Sequence, residues 1–291
     1  MTVGLFTDSF LVLSLEELLD WLDRTVPEIR DLEIGTGGYS PTPHCDLDAL
    51  LHDERERNAW RKRLTERGFR LAALNVSGNP LDDELHDRHL RDTIELASLL
   101  GVERIVCMSG GRADLSGGGW YPDIERDRDA YWQSTVVPYW HEIAGVAEAQ
   151  AGLRLCFELE PGAAVYNVAT FERVASGTAS LAVNLDPSHL FWQSMDPLVV
   201  LQRLSGRIGF AHGKDTIVDD SRVELDGVLD RRAWRFATVG DGHDLSWWTS
   251  FARALRAGGH EGVVSIEYED PSRTPEESVP MAARVLATAI A

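Results

Sequence analysis

Long hydrophobic runs are missing from this chain of 291 residues. No stretch approaches the roughly 20 uninterrupted apolar residues that a membrane helix needs. Val3-Gly4-Leu5-Phe6 follows the N-terminus with no basic flank and no signal-type cleavage site. The expectation is a cytoplasmic enzyme with no membrane partner. Positive charge is also scarce: 28 Lys and Arg stand against 47 Asp and Glu, a net charge of −19. Phosphate backbones demand clustered Lys and Arg, so nucleic acid is excluded as a partner. The acid excess reads chiefly as a solubility device. With no Gly-rich phosphate loop or lysine cluster, it also weighs against a highly phosphorylated substrate. Cysteine is limited to Cys45, Cys107 and Cys156, with no CxxC pair, so zinc–thiolate and dithiol motifs are absent. Cys107 and Cys156 lie in apolar runs and read as small buried residues.

What the chain does have is a regular alternation of strand-like and helix-like segments. Strand patterns fall at Val3 to Asp8, Leu32 to Gly35, Arg70 to Val76, Arg104 to Met108, Leu153 to Leu159, Ala182 to Leu185, Ile208 to Ala211 and Gly262 to Ile266. Between them lie amphipathic stretches with capping signals: Ser14 with Glu17 opens the first, and Gly68 and Gly101 close two others. Helices are expected at 53–67, 85–100, 129–150, 171–175, 198–204, 246–257 and 276–289, with a glycine-rich loop around Gly117, Gly118 and Gly119. Near-continuous apolar strands imply a parallel sheet covered on both faces. Eight units, at a length typical of such folds, predict an α/β fold, a (β/α)8 TIM barrel, as one domain over residues 1–291. An open doubly wound sheet would carry a dinucleotide fingerprint after the first strand, and none is there.

Barrels of this kind place their chemistry at the C-terminal ends of strands. Strand five ends in Glu158-Leu159-Glu160, strand six in Asp186-Pro187-Ser188-His189, strand seven in His212-Gly213-Lys214-Asp215, and strand eight in Glu267-Tyr268-Glu269. Four successive strands thus deliver carboxylate, carboxylate, imidazole and carboxylate to one rim. Converging acids repel, and a divalent cation removes that repulsion. Oxygen-rich ligation with a single imidazole favours Mn2+, with Mg2+ or Co2+ as alternatives, over zinc. The two-residue period puts Glu158 and Glu160 on one face, and likewise Glu267 and Glu269, so spacing alone leaves each choice open. Each acid by itself reads equally well as a solvated loop residue or helix cap; the four together do not.

Those segments, with Phe157-Glu158-Leu159-Glu160-Pro161-Gly162 and Asn184-Leu185-Asp186-Pro187-Ser188-His189 as the most specific, resemble the xylose-isomerase-like superfamily of sugar isomerases and epimerases. The resemblance implies Glu158, Asp186, His212 and Glu267 as ligands of one divalent metal ion. It gives Glu158 and Glu267 a second role as catalytic proton carriers. It places His189 and Arg235, in Trp234-Arg235-Phe236, against substrate oxygens. Relatives often carry His where this chain has Glu160 and Ser77; both departures fall at the expected pocket rim, so the substrate need not be theirs.

The implied activity is isomerisation or epimerisation of a ketose or keto-sugar by proton transfer through a metal-stabilised enediolate. The alternative is a lyase or C-glycoside-cleaving subunit acting on a 3-keto sugar by the same first step. That alternative brings a small β-rich partner subunit, whereas the isomerase reading allows a homo-oligomer. Trp120, Tyr121, Trp192 and Trp234 are candidates to wall an apolar pocket, although such aromatics more often serve as core. A related endonuclease type would need three zinc ions, more histidines and a basic groove. A binding module without metal is separated from all of these by elemental content.

Three further segments carry two readings each. His44, after strand two, reaches either substrate or solvent. Lys214 and Asp215 pair either behind the metal ligands or as a surface salt bridge. Gly240-Asp241-Gly242-His243-Asp244 reads as a turn opening a helix at Asp244, with a metal loop as the other choice. Asn75 and Cys107, at strand ends, are expected to line the pocket without doing chemistry.

Overall fold

Among the described residues, branched and apolar side chains dominate ten short strands, which the computed structural model places as β1 (Thr2–Phe6), β2 (Asp31–Gly35), β3 (Arg70–Asn75), β4 (Arg104–Cys107), β5 (Arg154–Glu158), β6 (Leu181–Leu185), β7 (Ile208–Gly213), β8 (Asp215–Val218), β9 (Trp234–Ala237) and β10 (Val263–Ile266). The structure describes residues 1–111, 129–150 and 152–291. The expected glycine-rich loop at Gly117 to Gly119, and the aromatics Trp120 and Tyr121, lie outside the described residues. Eight strands close into a barrel in the order β1-β10-β7-β6-β5-β4-β3-β2, with parallel pairing, and helices flank it. The (β/α)8 expectation holds. Among the described residues, no helix is long and apolar enough to cross a membrane.

Helix boundaries follow local chemistry. Ser14 and Glu17 form the expected capping box before the helix Leu15–Thr25, which buries Leu15, Leu18, Leu19 and Leu22 on one face. Each such leucine contributes about 2 kcal/mol through the apolar area it removes from water. Asp53 and Asp83 cap Glu54–Glu66 and Glu84–Leu100 by accepting backbone N–H bonds. Gly101 ends the second of these at φ +71°, a conformation that costs glycine nothing.

The chain packs as two compact units, residues 1–33 with 185–291 and residues 34–184, whose boundaries fall within β2 and β6. In the first, the helices Leu245–Ala257 and Pro275–Ile290 pack together, and Trp248, Phe251 and Leu255 are buried. In the second, the helical run 129–148 buries Trp132 and Trp140. The Trp140 ring meets Phe157 edge-on at 4.5 Å, and its indole N–H donates to the Ser109 carbonyl at 3.0 Å. Cys107 pairs in register with Phe157 and so shares this helix-facing side. It does not line the pocket as its strand-end position suggested.

One piece of the architecture differs from the sequence expectation. After β7 the chain does not turn away: β8 starts after the single residue Lys214 and pairs antiparallel with β9, around the short helix Asp220–Asp226. The four residues Asp215 to Val218 are too few to stand out from the strand pattern before them, and only a cross-strand partner reveals them as a separate element. The single helix expected at 53–67 likewise proves to be preceded by a second, Leu47–His52, with Asp46 as its cap.

Candidate metal centre

The parallel register brings the chemistry to one level. On β7 and β10, His212 stands beside Ser265; alternation then carries Glu267, two residues on, to the same face. On β1 and β2, Phe6 stands beside Glu33. Asp186 follows β6 directly, and its Oδ1 accepts the Ser188 N–H at 2.8 Å, which starts the short helix Ser188–Phe191. On β5, Glu158 stands level with Asn184 of β6.

Carboxylate oxygens of Glu158, Asp186 and Glu267 and a ring nitrogen of His212 all lie within 4.8 Å of one another. Glu160 and Glu269 stand outside this group. Glu160 instead accepts the Gly162 N–H at 2.8 Å, and Glu269 reaches Lys214 from a half-exposed position. The members of the two pairs that cluster are Glu158 and Glu267, those the resemblance selected. Three carboxylates at this spacing repel by about 3 kcal/mol per pair at an effective dielectric of about 20. The donor set, three oxygens and one imidazole in a largely buried place, fits a divalent cation.

His212 is buried and gripped at both nitrogens. Its Nε2 lies 3.1 and 3.2 Å from the two oxygens of Glu33, and its Nδ1 lies 3.1 Å from Glu267 and 4.0 Å from Asp186. Phe6 stacks near its ring at 6.4 Å and Phe210 meets it edge-on at 6.1 Å. Burial alone would lower the histidine's pKa, but the charges of Glu33 and Glu267 outweigh it and hold it well above the ordinary value. For Glu267 burial works upward, and Lys214 with His212 overrides it, holding the carboxyl well below its usual range.

Lys214 is not paired with Asp215 in either of the ways its sequence position suggested. Its buried ammonium lies 2.6 Å from Glu267, 3.0 Å from Glu269, 3.1 Å from Asp186 and 3.4 Å from His189. Asp215, the next residue, points elsewhere: its carboxylate accepts the backbone N–H groups of Thr216, Gly240, Gly242 and His243, and meets His243 Nδ1 at 2.7 Å. The 240–244 segment is therefore the expected turn, with Asp244 capping Leu245–Ala257. A side chain at position 242 would drive its Cβ to 2.2 Å from the Thr216 carbonyl oxygen, which is why glycine stands there.

The other sequence-selected residues divide. His189 is brought to the acids, 3.5 Å from Asp186, with its ring edge-on to Phe236 at 5.4 Å. Trp192 is buried and stacks on Trp234 at 4.6 Å; Trp234 in turn meets Phe236, whose ring lies 4.6 Å from the Lys214 ammonium. Arg235 alternates away from Phe236, and its guanidinium bonds to Asp270, Ser272 and the Phe236 carbonyl. His44 is buried rather than solvated, and its carbonyl accepts the Trp60 indole N–H at 2.9 Å. Asn75 is buried and turns its amide oxygen to the Ser77 N–H at 2.9 Å. Reading strand ends missed Glu33, although Leu32-Glu33-Ile34 shows the same signal as the others, an acid enclosed by strand-forming apolar residues.

The family model for the xylose isomerase-like TIM barrel matches residues 32–289. The chain belongs to that family. A protein of Bacillus subtilis (strain 168) described as uncharacterized protein YfiH is 36% identical, with 96% of each chain covered. Among solved structures, the IOLI protein with a bound zinc atom superposes with a TM-score of 0.70 at 18% identity, over 100% of this chain and 98% of that one. The probable 3-DHS dehydratase AsbF of Bacillus anthracis gives 0.69 at 15%, over 99% of each chain. An L-ribulose 3-epimerase gives 0.67 at 17%, over 100% and 95%. At these identities the solved structures speak to the fold.

Proposed function

We propose that this family member is a divalent-metal-dependent isomerase or epimerase of a small keto-sugar. The observation that carries the reading is the convergence of Glu158, Asp186, His212 and Glu267 within 4.8 Å. These four would hold one cation, with Mn2+ the first choice and Mg2+ or Co2+ behind it. Zinc stays in the comparison because a protein of similar fold was solved with it. Once bound, the cation supplies Lewis-acid polarisation of substrate oxygens.

The chain's own residues do the rest. One of Glu158 and Glu267 takes the proton from the carbon beside the substrate carbonyl, and the other returns it, to the opposite face or the neighbouring carbon. Lys214 keeps Glu267 ionised and so able to accept. His189, held near Asp186, donates to a substrate oxygen, and Trp192 with Trp234 and Phe236 walls the sugar from water. Arg235 and His44 complete the substrate contacts in this reading, Arg235 by leaving Asp270 for the sugar. Residues 1–291 act as one catalytic domain, in the cytoplasm, alone or as a homo-oligomer.

The enolate could instead expel a leaving group, which makes the protein a lyase on a 3-keto sugar. The similar dehydratase fold and the Trp192–Trp234 stack favour keeping this second reading, with a β-rich partner subunit as its corollary. Both readings predict exchange of a substrate C–H proton. Metal-replete protein incubated with ketoses and 3-keto glycosides in heavy water should introduce deuterium next to the carbonyl; net epimer marks the first reading and an unsaturated product the second. A chain that binds no divalent metal, or a metal-replete Glu267→Gln variant with full turnover, would overturn both.

A further inference from the structure

The geometry points to Glu33 as the positioning residue that fixes which nitrogen of His212 binds the metal. The inference rests on the metal-binding reading of Asp186, His212 and Glu267. Glu33 sits on β2 with its side chain fully enclosed, and both of its oxygens lie within 3.2 Å of His212 Nε2. An ionised carboxylate only accepts hydrogen bonds, so this contact keeps a proton on Nε2. When a metal ion displaces a proton from the ring, the lone pair then falls on Nδ1, the nitrogen that lies 3.1 Å from Glu267 and 4.0 Å from Asp186. Phe6 and Phe210 flank the ring with centroids at 6.4 and 6.1 Å, and the two Glu33 contacts hold its orientation. Glu33 is not one of the four clustered groups and stands on the far side of the imidazole from them. A carboxylate behind a ligating histidine fixes the tautomer, orients the ring and raises the basicity of the ligating nitrogen.

The test is Mn2+ titrated calorimetrically into the chelator-stripped full chain, for the wild type and for Glu33→Gln, Glu33→Ala and His212→Ala, with melting curves to establish folding. Glu33→Ala should weaken Mn2+ binding by about 10- to 100-fold. Glu33→Gln should lose less, since its amide oxygen still accepts from Nε2. In the wild type loaded with diamagnetic Zn2+, the nitrogen shifts of His212 should show a protonated Nε2 and a metal-bound Nδ1. A residue that merely holds the fold together would leave the ligating nitrogen unassigned by its loss. A folded Glu33→Ala chain that binds Mn2+ as tightly as the wild type would overturn the inference, as would Nε2 ligation. If Glu33→Ala does not fold, Glu33→Gln and the nitrogen shifts decide. Wild-type protein that binds no Mn2+ removes the metal reading together with this one. Binding abolished by His212→Ala but unmoved by Glu33→Ala removes this inference alone.

Discussion

Two groups of largely enclosed carboxylates in this chain are satisfied in opposite ways. Asp215 and Asp270 are surrounded by donors. Asp215 takes backbone N–H groups from Thr216, Gly240, Gly242 and His243. Asp270 takes the N–H and hydroxyl groups of Thr238 and Ser272, with Arg235 and Arg273 beside it. Asp186 and Glu267 face other acids, with Lys214 and His212 as the cations between them. A carboxylate wrapped in backbone amides ties loops together and has no capacity left for a ligand. Carboxylates aimed at one another are held at an electrostatic disadvantage that a bound cation relieves. The contrast distinguishes carboxylates that composition alone does not, two of which, Glu267 and Asp270, stand three positions apart.

The largest effect should come from Glu267→Gln. Under the proposed function it removes a proton carrier and a ligand, so turnover should fall close to background. Mn2+ affinity should drop by more than about 100-fold, the upper range for changes behind a ligand. Its melting temperature should move by less than about 4 °C, roughly 1 kcal/mol for a chain of this size. Calorimetric titration and a melting curve on one preparation check both. Asp215→Ala should do the reverse. Four backbone N–H groups lose their acceptor and His243 loses its partner, at a cost of about 3–5 kcal/mol, while the folded fraction keeps its Mn2+ affinity. Loss of metal binding with unchanged stability in Asp215→Ala would erase the distinction.

Asp270→Asn tests the same contrast through pH. Burial works to raise the Asp270 carboxyl, but hydrogen bonds from Ser272 and Thr238 outweigh it and hold the group well below its usual value. With the folded value depressed beneath an unfolded one of about 3.9, the stabilisation is fully present above that pH. It is lost as pH falls through the folded value. Asp270→Asn should therefore cost about 2 kcal/mol at pH 7, and the gap from the wild type should narrow below about pH 4. Urea unfolding at pH 7 and pH 3 measures it; a gap that does not change with pH would show that the charge of Asp270 contributes nothing.

How much of this was legible in the sequence follows from the same physics. The barrel was, because its strands repeat apolar runs between capped helices and each cap is a local signal. His212, Asp186 and the pairs Glu158/Glu160 and Glu267/Glu269 were, because a charge ending an apolar strand is costly wherever it points. Alternation could not choose within each pair, because it gives both members the same face; the family resemblance chose Glu158 and Glu267, and these are the members that cluster. Nor was the hairpin of β8 and β9, which depends on a partner about twenty residues away and carries Phe236 toward Lys214. The pairing of Lys214 with acids that follow β6 and β10, rather than with its neighbour Asp215, is likewise a fact of three dimensions.

Glu269→Gln gives the smallest expected effect and the finest discrimination. Glu269 shares the face of Glu267 and also bonds Lys214, at 3.0 Å against 2.6 Å, but its side chain is 47% exposed where that of Glu267 is 13%. A half-exposed carboxylate is well solvated and contributes little to an ion pair, so stability should change by less than about 1 kcal/mol. Lys214 keeps Glu267 and Asp186 as partners, and the metal ligands keep theirs, so Mn2+ affinity should stay within about threefold of the wild type. Turnover has more room to move, because Lys214 freed from Glu269 settles more firmly on Glu267, which would slow proton transfer without loosening the metal. A Glu269→Gln chain that loses its metal while Glu267→Gln keeps it would reverse the proposed assignment of the two glutamates.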